Sequence, residues 1–216
     1  MTEYLVHNKV RLALHLLESG GETQPLLILH ALGLRAPAGI EAPLDAWRGP
    51  VYALDFTGHG ESTIPKGGGY TAEVLMGDAD AALGAIGPAT VLGYGLGAYV
   101  ALLLCGARPR DVMGAILCDG PGLTGGGPAP GSPFLPAVNP NAVVPPDPWA
   151  LAELARDIRP EDYATNFLRQ ATQFSELEHP VTVCAGSRPP WLEAVACEPG
   201  VKCGSLSEAL DEYGQA

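Results

Sequence analysis

The polar residues of this chain that could take part in chemistry stand beside short apolar runs. His30, Asp119 and Ser187 each follow a mostly apolar run, and Tyr94 stands between two glycines. An imidazole, a carboxylate and a hydroxyl are the groups that acyl transfer uses as base, orienting acid and nucleophile. No spacing rule links these residues to one another, so the elements that position them decide which chemistry they can perform.

Three glycines at alternate positions, Gly93, Gly95 and Gly97, separate a partly β-branched apolar run from an apolar helical run that begins at Leu96. This pattern predicts a strand, a sharp turn and a buried helix. Glycines let the two backbones approach closely and allow a left-handed conformation at the apex, Gly95. Tight packing alone and a phosphate-cradling loop are the alternatives. The spacing is not the G-x-G-x-x-G of dinucleotide-binding folds, and no acidic residue follows at the matching place.

Two stretches carry a family resemblance. Residues 89–107 resemble the nucleophile elbow of the alpha/beta-hydrolase fold, whose pattern is G-x-S-x-G, and read GYGLG at positions 93–97. Residues 51–62 end in DFTGHGES, which resembles the D-x-x-G-H-G-x-S segment of the same family. In the family this segment is chiefly a structural loop, so His59 and Ser62 are poor candidates for catalysts.

The resemblance extends over nearly the whole chain. It implies the α/β class and the alpha/beta-hydrolase fold, with a mostly parallel twisted sheet, helices on both faces and a single domain over residues 1–216. Relatives insert a helical lid where this chain has residues 120–148. Of these 29 residues, 15 are Gly or Pro, and none before Asp147 is charged. We therefore expect an irregular loop in place of the lid and a shallow or exposed pocket.

The rest of the pattern predicts conventional elements. Asn8-Lys9 indicates a hairpin turn between two strands, and Thr71 is a helix-capping residue. Ser205 and Glu208 have the spacing of a capping box. Strands are expected at 26–30, 51–55, 112–118 and about 201–203, and a strand with its following turn at 181–187. Helices are expected at 72–86, from Asp147 to Ile158, from about Pro160 and from Ser205.

The catalytic groups of the family pattern are missing. The nucleophile position holds Gly95, and none of the five histidines lies beyond His179, although the family carries its general base near the end of the chain. After Gly186, where the family commonly places its acid, stand Ser187-Arg188-Pro189-Pro190. Asp119 is the remaining candidate acid, and a strand-end Asp that caps a loop is the alternative.

Backbone donors do not depend on side-chain identity, so an oxyanion hole can outlast the nucleophile. The segment 30–33 resembles the one from which the family builds half of that hole. Ala31 or Leu32 would supply one N–H and Leu96 the other. Gly95 would leave extra room there for a small ligand with a carbonyl or carboxylate group. The polar groups expected around that ligand are His30, Tyr94, Asp119 and Ser187.

Three functional hypotheses follow. The first is a protein that has lost Ser-His-Asp chemistry and binds a small ligand or a partner. The second is an active hydrolase of esters or related carbonyl substrates, in which Cys118 or Ser187 acts with His30. The third is a subunit of a homo- or hetero-oligomer whose interface includes Phe134 or Leu135.

Composition limits the class of protein. Twelve basic and 24 acidic residues give a net charge of −12, which argues against nucleic acid and anionic membranes as partners. We predict no signal peptide and no membrane span. Cys105, Cys118 and Cys184 lie in apolar runs, as expected of reduced thiols in the cytoplasm. Cys197 and Cys203 match no zinc spacing, so neither a metal nor a cofactor is expected. High Ala, Gly, Pro and Arg usage is typical of GC-rich bacteria.

Overall fold

The computed structural model describes residues 1–21, 23–129, 132–157 and 159–215. The strands are β1 (Thr2–His7), β2 (Val10–Ser19), β3 (Leu26–Leu29), β4 (Pro50–Asp55), β5 (Ala89–Tyr94), β6 (Val112–Cys118), β7 (Val181–Val183) and β8 (Val201–Cys203). The α-helices are α1 (Ala72–Ile86), α2 (Leu96–Ala107), α3 (Pro148–Leu154), α4 (Glu161–Phe174), α5 (Pro190–Ala196) and α6 (Leu206–Gly214), and a 3-10 turn spans Leu44–Ala46.

All eight strands form one sheet in the order β1-β2-β4-β3-β5-β6-β7-β8. β2 is antiparallel to both of its neighbours, and the other pairs are parallel. The α/β class and the mostly parallel sheet are therefore confirmed. The carboxyl ends of β3 to β7 meet at one edge of this sheet, where ligands bind in open parallel sheets.

Side chains alternate between two core clusters along the strands. Leu27 and Leu29 of β3 pack with α1, α2, α4 and α5 on one side, here called the α2 face. Leu26 and Ile28 pack with Trp47 and α6 on the other side, the α6 face. This alternation is what a strand buried on both faces requires. Helices thus cover both faces, as predicted.

Local signals placed most elements correctly. Asn8 and Lys9 have φ values of 48° and 74° in the β1–β2 turn. The Thr71 hydroxyl accepts the N–H of Val74 at the start of α1, and the Ser205–Glu208 capping box opens α6. These geometries are the ones that the turn and capping residues favour.

Two helices differ from the prediction. The helix that begins after Asp147 ends at Leu154 instead of reaching Ile158, which lies outside the described residues. The helix α5 was not predicted, although Pro190 at its first position is a helix-start signal. None of the helices in the described ranges has the length and apolarity needed to cross a bilayer.

Candidate functional site

The turn between β5 and α2 has the backbone expected of the elbow. Gly95 has φ 52° and ψ −111°, and it is the N-cap residue of α2. A side chain rarely adopts this conformation, so glycine removes the strain that a serine would carry there. The left-handed apex predicted from the three glycines is confirmed.

The room expected beside Gly95 is not there. A Cβ atom built on Gly95 would lie 2.4 Å from the carbonyl carbon of Gly120 and 2.4 Å from the carbonyl oxygen of Pro121. Both are backbone atoms, which cannot swing aside as a flexible side chain can. The prediction of extra room is therefore wrong, because the chain's own backbone fills the space over the apex.

The same backbone engages both predicted oxyanion donors. The N–H groups of Leu32 and Leu96 each donate to the carbonyl oxygen of Pro121, at 3.0 Å in both cases. Two convergent N–H groups 2.7–3.1 Å from one oxygen are the geometry of an oxyanion hole. The Pro121 carbonyl thus uses the hydrogen-bonding capacity of both N–H groups.

Residues 120–126, here called the covering segment, are held in place by backbone contacts. Gly122 and Gly125 exchange two N–H···O bonds of 3.2 Å, and the N–H of Phe134 donates to the Gly125 carbonyl. A Cβ on Gly122, whose φ is 111°, would lie 2.7 Å from the Cβ of Leu96. Glycine at this position is therefore what lets the segment lie directly on the first turn of α2.

His30 has neither ring nitrogen free. Its Nδ1–H donates to the Ala31 carbonyl at 2.8 Å, and its Nε2 accepts the N–H of Phe56 at 3.2 Å. Burial, together with the neighbouring His59, lowers the pKa of His30 to about 3. The ring is thus neutral and joins the ends of β3 and β4.

His59 has a matching structural role. Its Nδ1–H donates to the Thr57 carbonyl at 3.1 Å, and its Nε2 accepts the N–H of Gly33 at 3.4 Å. Burial lowers the pKa of His59 as well. The two histidines together fix the segment that presents the Leu32 N–H.

Asp55 and Ser62 complete this scaffold. The Asp55 carboxylate accepts the N–H of Ala36 at 2.7 Å and of Glu61 at 2.8 Å. The Ser62 hydroxyl donates to the Asp55 carbonyl at 2.5 Å and accepts the N–H of Ala13 at 2.9 Å. These bonds tie the loop after β4 to strand β2 and to the loop after β3.

Asp119 lies at the carboxyl end of β6 and contacts the turn after β7. Its carboxylate accepts the N–H of Gly186 at 2.7 Å and of Ser187 at 2.9 Å. No histidine in the described part of the chain hydrogen-bonds to Asp119 or to Cys118. In this arrangement Asp119 acts as a loop cap.

A cavity of about 540 Å³ opens beside the elbow on the α6 face. His30, Ala31 and Tyr94 form one wall, and residues 34–44 with Leu206 form the rest. Burial raises the pKa of Tyr94 to about 12, so the phenol is a neutral donor at physiological pH. Its hydroxyl makes no hydrogen bond within the described residues.

The structure thus divides the predicted ligand set into three groups. Three of its residues line the cavity, namely His30, Ala31 and Tyr94. Three contact the covering segment, namely Leu32, Gly95 and Leu96. Asp119 and Ser187 meet each other at the β6–β7 edge. Within the described residues, no three His, Cys, Asp or Glu side chains group as a metal site.

Two groups of residues were not anticipated. The backbone of Gly120–Pro121 occupies the elbow, and residues 34–44 roof the cavity. The dense glycines after β6 were the available signal for close backbone approach. Nothing in the composition of residues 34–44 marked them as a cavity wall.

Comparison with known proteins supplies the family. A model of the alpha/beta hydrolase family matches residues 26–201. None of the curated proteins matches the sequence. An inferred aryl esterase from Burkholderia cenocepacia is 16% identical, with 100% of this chain and 96% of that chain covered and a TM-score of 0.67.

Two further solved structures are similar over most of their length. A thioesterase domain from the curacin biosynthetic pathway is 17% identical, with coverage of 100% and 95% and a TM-score of 0.59. A hydrolase from Pseudomonas aeruginosa is 20% identical, with coverage of 95% and 89% and a TM-score of 0.57. At these identities the likeness establishes the fold alone. Since the family model spans most of the sequence and the strand order agrees with it, the chain belongs to the alpha/beta hydrolase family.

Proposed function

We propose that this family member has lost Ser-His-Asp hydrolase chemistry and acts as a pseudoenzyme that binds a small ligand or a partner. The observation that carries the proposal is the Pro121 carbonyl, which accepts the N–H groups of Leu32 and Leu96 at 3.0 Å. A substrate carbonyl would have to displace both bonds, each with a net contribution of about 0.5–1.5 kcal/mol. It would also have to displace the backbone that covers Gly95.

The chemistry needed for acyl transfer supports the same conclusion. The nucleophile position, Gly95, offers no hydroxyl or thiol, and both nitrogens of His30 are engaged by backbone groups. Enzymes that lose a triad member keep only about 10³–10⁴-fold catalysis over water, which comes from the oxyanion hole and binding. Here the oxyanion donors are engaged as well, so even that residual rate is expected to be lower.

The cavity on the α6 face is the proposed ligand site. Its walls include Ile28, Ile40 and Leu44, which suit an apolar body, and the Tyr94 hydroxyl is an unused donor. Arg35 also lines the cavity and carries a positive charge. The proposed ligand is therefore a small molecule with an apolar body and a carbonyl or carboxylate group. A cavity of a few hundred Å³ is a usual size for such a site.

The test is esterase activity on p-nitrophenyl acetate and butyrate, combined with labelling by a serine-directed fluorophosphonate. We expect neither turnover nor labelling in the wild-type protein. Gly95→Ser should also stay inactive, because no histidine can take its proton. Gly95→Ala is the matched control, since it adds the Cβ without the hydroxyl.

Hydrolysis that is lost in His30→Ala would instead favour the displaced-residue hypothesis. Fluorophosphonate labelling of the wild-type protein would contradict the proposal outright.

Self-association, a cytoplasmic location and a single domain over residues 1–216 stay predictions. Leu135 is 77% exposed, whereas Phe134 packs against the core. If this region forms a homo-oligomer interface, Leu135→Asp should shift the sedimentation coefficient to that of a monomer. An unchanged coefficient would exclude Leu135 from any interface.

A further inference from the structure

Three side chains form a row across the carboxyl ends of neighbouring strands on the α6 face. Tyr94 of β5 pairs with Cys118 of β6. Cys184 follows the paired residues Leu117 and Val183 of β6 and β7, and its N–H donates to the Leu117 carbonyl at 2.8 Å. Cys118 and Cys184 therefore occupy facing positions on adjacent strands, with both side chains on one face.

This placement brings the two sulfurs together. Adjacent strands lie about 4.8 Å apart, inside the range of about 4.4–6.8 Å between Cα atoms that a disulfide requires. Both residues are free cysteines, and each thiol influences the pKa of the other. By contrast, the buried thiol of Cys105 donates to the Pro180 carbonyl at 3.8 Å.

The two thiols are not equivalent. Cys118 is 6% exposed, whereas Cys184 is half-buried and can be reached from solvent. The neighbouring Cys118 thiol lowers the pKa of the Cys184 thiol, whereas the neighbouring Cys184 and burial raise the pKa of Cys118. Cys184 thus has the more accessible sulfur and the greater thiolate character, which are the properties of a reactive cysteine.

We propose that Cys118 and Cys184 form an oxidisable dithiol site, at which Cys184 reacts with a hydroperoxide and Cys118 then closes a disulfide between β6 and β7. In the first step the Cys184 thiolate attacks a peroxide oxygen and the O–O bond breaks. The other oxygen leaves with a proton, as water from hydrogen peroxide, and Cys184 becomes a sulfenic acid. Sulfur loses two electrons and the peroxide gains them.

In the second step the Cys118 sulfur attacks the Cys184 sulfur. The S–O bond breaks, the Cys118 proton goes to the departing hydroxyl, and the products are the disulfide and a second water. The oxidised pair would lie one strand away from Tyr94, which forms part of the cavity wall. The modification would therefore stand next to the proposed ligand site without depending on it.

The experiment uses the full chain, reduced, then exposed to equimolar hydrogen peroxide and blocked with N-ethylmaleimide. Mass spectrometry should show the loss of two hydrogens, two thiols fewer alkylated, and a cross-link that maps to Cys118 and Cys184. Dithiothreitol should reverse it. In Cys118→Ser the cross-link should be absent, and dimedone should trap a sulfenic acid on Cys184.

The exposed residues Cys197 and Cys203 provide the control. A Cys197→Ser/Cys203→Ser variant should form the same cross-link at the same rate. The proposal would be overturned if Cys118→Ser still formed an intramolecular disulfide on treatment with peroxide. It would also be overturned if dimedone labelled Cys203 faster than Cys184. Because Cys118 is buried, thermal unfolding must show that Cys118→Ser folds. If Cys118→Ser does not fold, the test is whether the Cys197→Ser/Cys203→Ser variant forms the Cys118–Cys184 disulfide. Absence of that disulfide refutes the site.

Discussion

Two regions at the same edge of the sheet differ in how their polar groups are satisfied. At the elbow, the N–H groups of Leu32 and Leu96 converge on the Pro121 carbonyl, and backbone fills the space over Gly95. On the α6 face, a cavity of about 540 Å³ borders Tyr94, whose hydroxyl has no partner among the described residues. One region has convergent N–H donors but no room for a ligand, and the other has room and an unused donor.

Well-placed hydrogen-bond donors do not by themselves make a site available to a ligand. The N–H groups of Leu32 and Leu96 converge on one point, yet their hydrogen-bonding capacity is already used inside the chain. The Tyr94 hydroxyl on the cavity wall has no partner among the described residues, so a ligand can accept its hydrogen bond. We therefore expect changes at the elbow to alter stability, and changes at the cavity to alter binding.

The largest effect on stability is expected from Gly95→Ala, because the added Cβ would collide with the segment that covers the elbow. A Cβ there must tolerate a left-handed backbone and contacts of 2.4 Å with the Gly120 and Pro121 backbone. Strain at such positions and overpacking each cost about 1–3 kcal/mol, so the free energy of unfolding should fall by about 3 kcal/mol. Urea denaturation measures the change.

Gly84→Ala is the matched control for that substitution. Gly84 lies on the exposed side of α1, and nothing stands within 4 Å of a Cβ built there. Alanine should stabilise the helix by about 0.5–1 kcal/mol. A Gly95→Ala variant as stable as the wild-type protein would show that the covering segment does not rest on the elbow in solution.

Acid should lower the stability of the folded chain at His30, which lies between the elbow and the cavity. The pKa of His30 falls from 6.5 to about 3 on folding. Between pH 6.5 and pH 3, His30 is therefore protonated in the unfolded chain and neutral in the folded chain. Stability therefore falls as pH drops below 6.5, by up to about 1.4 kcal/mol per pH unit. Denaturation curves from neutral pH to about pH 4.5 should show a loss of about 2 kcal/mol.

His30→Gln should flatten that pH dependence. The slope will not vanish entirely, because burial also lowers the pKa of His59. A variant with the wild-type slope would show that the buried His30 is not the group that titrates.

The sequence was sufficient for most of the fold because the signals were local. Periodic apolar runs gave the strands, and Thr71, Ser205 and Asn8-Lys9 marked helix starts and a turn. The helix α5 was missed because it is only seven residues long and because the sequence pattern assigns Pro189 and Pro190, its N-cap and first residue, to the turn after β7. The helix α3 was predicted too long because its apolar spacing continues past Leu154, where the helix ends.

The candidate site was harder to predict because it depends on long-range contact. The glycine at position 95 and the Leu96 N–H were predicted from the elbow pattern, and the other donor, Ala31 or Leu32, from the segment 30–33. That Pro121 would meet those donors could not be predicted, since the contact joins segments that share no periodicity. A glycine-rich run indicates that its backbone lies close to another part of the chain, but it does not indicate which part.

A smaller effect is expected at Asp119, which borders the elbow. Asp119→Ala would leave the N–H groups of Gly186 and Ser187 without their carboxylate partner. Because this site is exposed, water replaces part of the loss, and the free energy of unfolding should fall by about 1 kcal/mol. Asp119→Asn, which keeps one acceptor oxygen, should lose less. Urea curves that show no change for Asp119→Ala would rule out the loop-cap role.

The smallest effect is expected at the cavity and concerns binding. Tyr94→Phe removes only the hydroxyl, so the affinity for a small aromatic carboxylate such as phenylacetate should fall about threefold to tenfold, the value of one hydrogen bond. Tyr52→Phe, on β4 and outside the cavity lining, is the control. Ligand-observed NMR titration gives both affinities. Ile40→Trp should fill the cavity and abolish phenylacetate binding. If binding is unchanged in this variant, phenylacetate binds elsewhere, and the cavity on the α6 face is not the ligand site that distinguishes it from the covered elbow.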